Sequence, residues 1–325
     1  MHIWRKTSSR VKTPVALTIG NFDGVHKGHQ AMLKRLQETA KMLGLPACVM
    51  TFEPHPREFF SPDQAPTRLT GIREKLQCLI QANVDRVYIC RFDYEFAKMP
   101  PEQFITKILN EELNVRWLLV GDDFRFGARR AGDITMLQTH SAANGYTVEI
   151  MPNITVDDTR VSSTVIRQAL ANGDLAAAGN FLGRPFSMSG RVIDGDKLGK
   201  KIGFPTANIQ LKHNRPVLSG IFAVSARGAI PSSPMTPLPG VASLGVRPTT
   251  HQNGSYVLEV HLFDFNQEIY GQRLQVDFLH KLRDEQKFSD INALILQIEK
   301  DIVQTKNYFM TKTNAHNSSS ICIAH

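Results

Sequence analysis

Cysteine is scarce: the 325 residues hold four, Cys48, Cys78, Cys90 and Cys322. None forms a CxxC pair or stands beside a histidine at metal-ligand spacing, which argues against a disulfide framework and a zinc site. No apolar run approaches the roughly 18 residues of a membrane helix; runs such as residues 117–120 are strand-sized. No run of five or more like charges occurs, and there are no internal repeats. The basic residues 1–12 lack the apolar core of a secretory signal. These absences lead to the expectation of a cytoplasmic protein with no membrane partner.

What is present is an ordinary globular balance, 42% hydrophobic and 21% charged, over a length that suggests two domains. The net charge of +8 divides into +3 on residues 1–183 and +5 on residues 184–325. A small anionic ligand such as phosphate explains so even a spread as well as DNA or RNA does. No nucleic-acid partner is therefore assigned, because charge alone supplies non-specific affinity and no function.

The first half alternates strand-like and helix-like segments. Strand-like runs at Val15–Ile19, 47–52, 86–90, 115–120 and Thr147–Met151 are separated by helical stripes. Examples are Leu33, Leu36, Ala40 and Leu43, or Phe104, Ile105, Ile108 and Leu109. This pattern predicts a parallel sheet covered on both faces, with ligands outside the carboxyl ends of its strands. Near Gly183-Arg184-Pro185 the character changes. Strand-like runs follow one another at Phe186–Ile193, 221–226, 241–246, 256–265 and 274–282, which predicts an antiparallel barrel. Ile291, Leu294, Ile295, Ile298 and Ile302 mark a closing helix with Ser289 as its N-cap. Prolines crowd 231–239, an expected surface loop, and residues 311–325 read as a disordered tail.

The most informative segment is Gly20-Asn21-Phe22-Asp23-Gly24-Val25-His26-Lys27-Gly28-His29, between a strand and a helix. Gly28 permits close backbone approach, the helix start offers free N–H groups to a phosphate, and His26 and His29 flank that spot. Either histidine alone would read as an exposed residue in a turn. The full His-x-Gly-His at a strand-to-helix junction resembles the nucleotidylyltransferases and class I aminoacyl-tRNA synthetases. Ser162-Ser163-Thr164, followed by Arg167, supplies the partner motif such a domain carries late; by itself it is an ordinary N-cap. Two further segments close strands: Thr51-Phe52-Glu53-Pro54-His55-Pro56 and Gly121-Asp122-Asp123-Phe124-Arg125-Phe126. Phe52, Phe124 and Phe126 suit a planar ring, and His55, Asp122 and Asp123 suit its polar edge; the alternative for the phenylalanines is simple packing. Together these segments resemble the FMN-adenylyltransferase module of the bacterial bifunctional riboflavin kinase/FAD synthetase family.

In the second half, Gly195, Gly199 and Gly203 punctuate a segment ending Gly203-Phe204-Pro205-Thr206-Ala207-Asn208. It is not a P-loop, since Lys197 comes one residue too late after Gly195 and no Ser or Thr follows it. Hairpin turns would explain the glycines; a Thr hydroxyl and an Asn carbonyl close together would also suit Mg²⁺ between nucleotide phosphates. The segment resembles the riboflavin kinase signature. Gly245-x-Arg247-Pro248-Thr249, the strand around Glu259, and Arg283-x-Glu285 follow in that family's order. Glu259 stands among apolar neighbours, which reads as a carboxylate on the inner side of a barrel wall, either a salt-bridge partner or a functional base. Asp194 and Ser243-Leu244 depart from the residues the family commonly shows there.

The resemblance implies an α/β Rossmann-like nucleotidylyltransferase domain over residues 14–182, then an antiparallel β-barrel riboflavin kinase domain over 183–310 with a C-terminal helix. It implies a cytoplasmic enzyme that phosphorylates riboflavin to FMN and adenylylates FMN to FAD, using ATP and Mg²⁺, as a monomer or weak oligomer. It makes Glu259 the kinase base, with Thr206 and Asn208 as Mg²⁺ ligands and His26 and His29 as catalytic groups of the adenylyl transfer. Gly20, Asn21, Phe22, Asp23, Gly28, Ser162, Ser163, Thr164, Arg167, Gly195, Gly199 and Gly203 would line ATP. Phe52, His55, Pro56, Asp122, Asp123, Phe124, Phe126, Arg283 and Glu285 would line flavin. Three rivals differ in testable ways. Another nucleotidylyltransferase would lack the Gly203–Asn208 signature, a tRNA-binding synthetase would need an anticodon-reading domain, and a non-catalytic sensor would show broken motifs.

Overall fold

The structure is a computed structural model describing residues 1–5, 13–195, 198–211, 215–246 and 256–321. The chain divides into two compact units, Met1–Ser163 and residues 164 onward. The first contains β1 (His2–Arg5), β2 (Val15–Ile19), α1 (Lys27–Leu43), β3 (Ala47–Glu53), α2 (Pro56–Phe60), α3 (Ile72–Gln81) and β4 (Arg86–Arg91). It continues with α4 (Tyr94–Ala97), α5 (Pro101–Gln103) running into a wider π-type helix over Phe104–Glu112, β5 (Val115–Gly121), α6 (Ile134–Asn144) and β6 (Thr147–Met151). A short hairpin, β7 (Thr155–Val156) and β8 (Thr159–Arg160), ends it.

Six strands form one parallel sheet in the order β1-β4-β3-β2-β5-β6. Every residue of β2 is buried, as expected of a central parallel strand covered on both faces. One face packs Leu17, Met50 and Leu118 against Phe104, Ile105, Leu109 and Leu137. The other packs Ala16, Val49 and Leu119 against Leu33, Leu36 and Leu79 of α1 and α3. Each large apolar side chain so buried contributes about 1.5–3 kcal/mol. From β2 the chain builds outward through β3 and β4, then returns to place β5 on the other side of β2. The strand order therefore reverses between β2 and β5, and a crevice for ligands opens at their carboxyl ends. The edge strand β1 falls in the stretch that composition alone read only as a basic terminus.

The second unit holds α7 (Ser163–Ala171, beginning at the boundary), α8 (Leu175–Leu182), β9 (Phe186–Ile193), α9 (Leu198–Lys201), β10 (Ala207–Gln210) and β11 (Gly220–Arg227). β12 (Leu238–Val246), β13 (Tyr256–Leu262), β14 (Arg273–Arg283) and α10 (Ile291–Ile321) complete it. The strands close an antiparallel barrel in the order β10-β13-β12-β11-β14-β9. Phe222, Leu244, Leu258, Val260, Val276 and Phe278 fill it, with the Phe222 and Phe278 rings edge to face at 5.2 Å. The short β10, which closes the barrel between β9 and β13, is absent from the strands the sequence pattern predicts. Asp290, not Ser289, caps α10: its carboxylate accepts the Ala293 N–H at 2.9 Å, and Ser289 donates to the same carboxylate. The helix passes Met310, with Thr311 Oγ1 donating to the carbonyls of Asn307 and Tyr308, so the expected tail begins inside it. The segment Arg247-Pro248-Thr249 lies outside the described residues.

Barrel closure depends on Gly190, where a Cβ would overlap the Gln210 carbonyl oxygen and the Ile209 side chain of β10. Gly190→Ala is expected to cost about 1–3 kcal/mol through overpacking. A thermal melt checks this, and an unchanged midpoint would show that β10 yields without cost.

Candidate functional site

Chemistry-bearing residues gather in two places, one in each unit. In the first, β2 runs into the loop Gly20–His26 at the sheet's reversal point. The loop is held by Asp23, whose buried carboxylate accepts the N–H groups of Leu69 and Thr70, both at 3.0 Å. Gly24 N–H donates to Thr70 Oγ1, and Ser163 Oγ donates to the Asp23 carbonyl at 2.9 Å. Ser163 is the last residue of the first unit; Ser162 precedes it, and Thr164 and Arg167 lie on α7 past the boundary. Phe22 (φ 49°) and Val25 (φ 41°) take left-handed backbone angles that disfavour side chains, a strain typical of functional loops.

His26 caps α1, its Nδ1 accepting the His29 N–H at 3.4 Å, and the two imidazoles stack with centroids 3.7 Å apart. The Phe22 ring closes on His29 from another side at 4.8 Å. Burial, then the neighbouring His26 and Lys75, push the His29 pKa well below its ordinary value. That environment favours the neutral form of the ring. A Cβ at Gly28 would come within 3.2 Å of the His26 ring, so glycine keeps this turn tight.

Around this loop lie the other strand ends. His55 caps α2, accepting Arg57 N–H at 3.1 Å, with Pro56 in the first helical position. Burial lowers the His55 pKa. Arg68 fastens α2 to β3, donating to both Glu53 oxygens at 2.9 Å and to Glu58. Burial opposes that guanidinium's charge, but the Glu58 and Glu53 hydrogen bonds hold its pKa above the ordinary value. Phe52 packs against Phe92 and Phe96. After β5, Asp122 accepts from Asn153, and Asp123 pairs with Arg160 at 2.8 Å. Phe124 is half-buried and stacks on Phe126. Phe126 itself is a core residue with a backbone bridge to Gly132. A Cβ at Gly132 would strike its ring.

In the second unit the strand register brings the expected residues together. Asn208 of β10 stands directly opposite Glu259 of β13, Glu259 opposite Ser243 of β12, Ser243 opposite Ile221 of β11, and Ile221 opposite Arg283 of β14. Directly paired residues share a face, so this row is one surface. It is not the inner one. Leu258, Val260 and Leu262 fill the barrel, and the two-residue period turns Glu259 to the opposite face, which corrects the reading of an inward carboxylate. The glycine-punctuated segment lies over this face. Cβ atoms at Gly195 and Gly199 would fall on the Asn208 amide and on the Phe204 carbonyl, and Thr206 Oγ1 is also close to Gly199. His261 Nδ1 meets the Pro205 carbonyl at 2.8 Å, fastening the segment to β13. Gly203 takes φ 93°, which only glycine adopts readily.

Arg283 is held by α10: its guanidinium grips the buried carboxylate of Asp301 in a two-pronged contact, 2.9 and 2.7 Å. It also donates to the Asp284 carbonyl. Glu285 folds over β12, where a Cβ at Gly245 would land on its carboxylate. Sequence reasoning missed Asp301, Arg68, Lys75 and His261. A lysine at position 75, within the apolar stripe of Ile72, Leu76 and Leu79, was the readable clue for one of them.

Among the described residues, four buried side-chain atoms lack a hydrogen-bond partner: Asn21 Oδ1, His29 Nδ1, Thr39 Oγ1 and Asn208 Oδ1. Three of the four fall in these two places. Native proteins leave few such atoms, so each asks for a partner, a water or a ligand, that the chain itself does not supply. Among the described residues no cluster of three or more His, Cys, Asp or Glu could hold a metal. No helix there is long and apolar enough to cross a membrane.

A helix-start loop at a sheet reversal and a glycine segment over a barrel wall are both arrangements suited to phosphate-bearing ligands, as in enzymes that transfer phosphoryl or nucleotidyl groups. Comparison with known proteins specifies the family. A family model for FAD synthetase matches residues 8–165, and one for riboflavin kinase matches residues 182–309. A bifunctional riboflavin kinase/FMN adenylyltransferase from Haemophilus influenzae is 47% identical, over 93% of this chain and 96% of the relative. Proteins of the same description from Pseudomonas fluorescens and Escherichia coli K12 are 46% and 45% identical, over 89% and 90% of this chain and 91% and 92% of the relatives. A solved structure from Streptococcus pneumoniae, described as a macrolide-efflux protein, superposes with a TM-score of 0.80 at 27% identity, covering 94% of this chain and 99% of the other. The chain belongs to the bifunctional riboflavin kinase/FMN adenylyltransferase family.

An unpartnered buried acceptor costs about 1–3 kcal/mol. Asn208→Val, which removes it with a small change in volume, is expected to leave the melting temperature unchanged or higher. A clear fall would show that Asn208 serves the fold itself.

Proposed function

We propose that this enzyme makes FAD from riboflavin with the residues assembled at its two sites. It phosphorylates riboflavin to FMN and adenylylates FMN to FAD. The observation that carries the residue assignment is the pairing of Asn208 with Glu259 across β10 and β13, beneath the glycine segment.

In the barrel, Glu259 accepts the proton of the ribityl 5′-hydroxyl as that oxygen attacks the γ-phosphorus of ATP and ADP leaves. Phosphoryl transfer asks the protein mainly to orient reactants and offset charge. Gly195, Gly199 and Gly203 let the segment's backbone come close to the nucleotide. The neutral oxygens of Thr206 and Asn208, one of them unpartnered, would hold a Mg²⁺ ion. When bound, such an ion neutralises phosphate charge. Glu285 meets the flavin. Arg283, engaged by Asp301, orients the Glu285 segment.

In the first unit, an FMN phosphate oxygen attacks the α-phosphorus of ATP and pyrophosphate leaves. The nucleophile is already an anion, so no base is needed. His26, His29 and Arg167, with N–H groups of the Gly20–Gly28 loop and of the Ser162-Ser163-Thr164 helix start, offset charge on the phosphates. Asn21 and Phe22 shape the loop, and Asp23 anchors it. Phe52, His55, Pro56, Asp122, Asp123 and Phe124 border the flavin, with Phe126 supporting Phe124 from the core. By function the first domain extends over residues 14–182 and the second over 183–310, although by packing the second unit begins at residue 164. On this reading the enzyme works in the cytoplasm, monomeric or weakly self-associating. Riboflavin, FMN and ATP are its partners, and nucleic acid and membrane are not.

Two variants test the assignment by chromatography of the flavins formed from riboflavin and MgATP. His29→Ala should slow FAD formation about 10²–10³-fold and accumulate FMN. Glu259→Gln should slow riboflavin phosphorylation about 10²–10⁴-fold while FMN supplied directly still becomes FAD. A Glu259→Gln rate within a few-fold of wild type, per folded molecule, would eliminate Glu259 as the base.

A further inference from the structure

Lys75 lies in the first turns of α3 and is only 4% exposed. Burial of an ammonium is unfavourable unless a carboxylate or several acceptors receive it. Here one acceptor does: Lys75 Nζ donates to Thr51 Oγ1 at 3.3 Å. Among the described residues it forms no ion pair. The nearby carboxylates are engaged elsewhere, Asp23 by Leu69 and Thr70, and Glu53 and Glu58 by Arg68. The ammonium carries three N–H donors, so one hydrogen bond leaves it under-satisfied.

Its location is informative. Thr51 Oγ1 donates onward to the Asn21 carbonyl at 3.2 Å, at the carboxyl ends of β2 and β3. The Lys75 charge acts on both His29 and His55, lowering the pKa of each. Through Thr51 it lies at the strand ends beside the Gly20–His29 loop, near enough to both histidines for its charge to bear on them. Burial lowers the Lys75 pKa, and Asp23 and Glu53 oppose that fall.

We propose that Lys75 is a further phosphate-binding residue of the adenylyl-transfer site, a buried ammonium whose counter-ion is a substrate phosphate oxyanion. Its hydrogen-bonded link through Thr51 to Asn21 sets it at the proposed site, and both substrates arrive there as anions. The assignment rests on the site reading above. It gives the under-satisfied ammonium a role that the folded chain alone does not supply.

The test uses the full chain and three variants. Lys75→Met keeps length and removes the charge. It should lower kcat/KM for FAD formation from FMN and ATP about 100-fold, as losing a charged transition-state contact does. It should also weaken binding of inorganic pyrophosphate in titration calorimetry, and leave riboflavin phosphorylation unchanged. Its melting temperature should be no lower than wild type, because a poorly compensated buried charge has been replaced by an apolar group. A higher KM for ATP alone assigns the contact to the nucleotide, and a higher KM for FMN alone to the flavin phosphate. A lower kcat with both KM values unchanged assigns it to the junction. Thr51→Val removes the acceptor and keeps the cation. It should stay within a few-fold of wild type, and a loss equal to that of Lys75→Met would reduce Lys75 to a prop for Thr51. Normal FAD formation per folded Lys75→Met molecule would overturn the proposal. If His29→Ala abolishes FAD formation when Lys75→Met does not, only the Lys75 assignment falls. If neither does, the site reading falls with it.

Discussion

A strand covered on both faces can carry almost nothing but apolar side chains, whereas a strand covered on one face leaves every second position for chemistry. This constraint sets where each unit of the protein can work. In the first unit helices cover both faces of the sheet, and all of β2 is buried. Functional groups are driven to the strand ends, and only the reversal between β2 and β5 leaves a gap there to receive a ligand. In the second unit the barrel consumes one face. The row of Asn208, Glu259, Ser243 and Arg283 occupies the other.

Within those locations, the charges divide into two kinds. Asp23, Glu53, Glu58 and Asp301 are held by backbone N–H groups or by arginine, and they fix loops and helices in place. Such groups are partnered within the chain and brace the loops and helices they join. Asn21, His29 and Asn208 carry buried atoms with no partner among the described residues. Leaving such groups incomplete costs stability, and three of the four fall on the Gly20–His29 loop and under the glycine segment, where the proposed function places ligands. The two kinds are interleaved: Asp23 holds the loop on which His29 depends, and Asp301 holds the arginine beside Glu285.

Much of this was readable in the chain. Alternating apolar stripes and β-rich runs announced a parallel sheet followed by a barrel, because periodicity survives whatever the packing details. His26, Gly28 and His29, and Gly203 through Asn208, announced phosphate chemistry because close backbone approach and hydrogen-bond donors at short spacing are local properties. Other features were hidden for equally physical reasons. The four-residue β10 is too short to show a period. The cap of α10 moved one residue, from Ser289 to Asp290, because both side chains can accept and only geometry selects between them. Phe126 looked like a flavin contact and sits in the core. An aromatic residue at a strand end has the same local signature in either role.

The sequence by itself determined the class of fold, the order of the two units and the types of group available for phosphate and flavin, since these follow from local pattern and short spacing. Tertiary structure alone decided that Asn208 stands opposite Glu259, that Asp301 takes the Arg283 charge, and that Lys75 is buried with no ion pair among the described residues. The reason is that register and long-range pairing join residues dozens of positions apart. The apolar alternation of one strand fixes which face each of its side chains takes, but it does not name the residue that will stand opposite on the neighbouring strand.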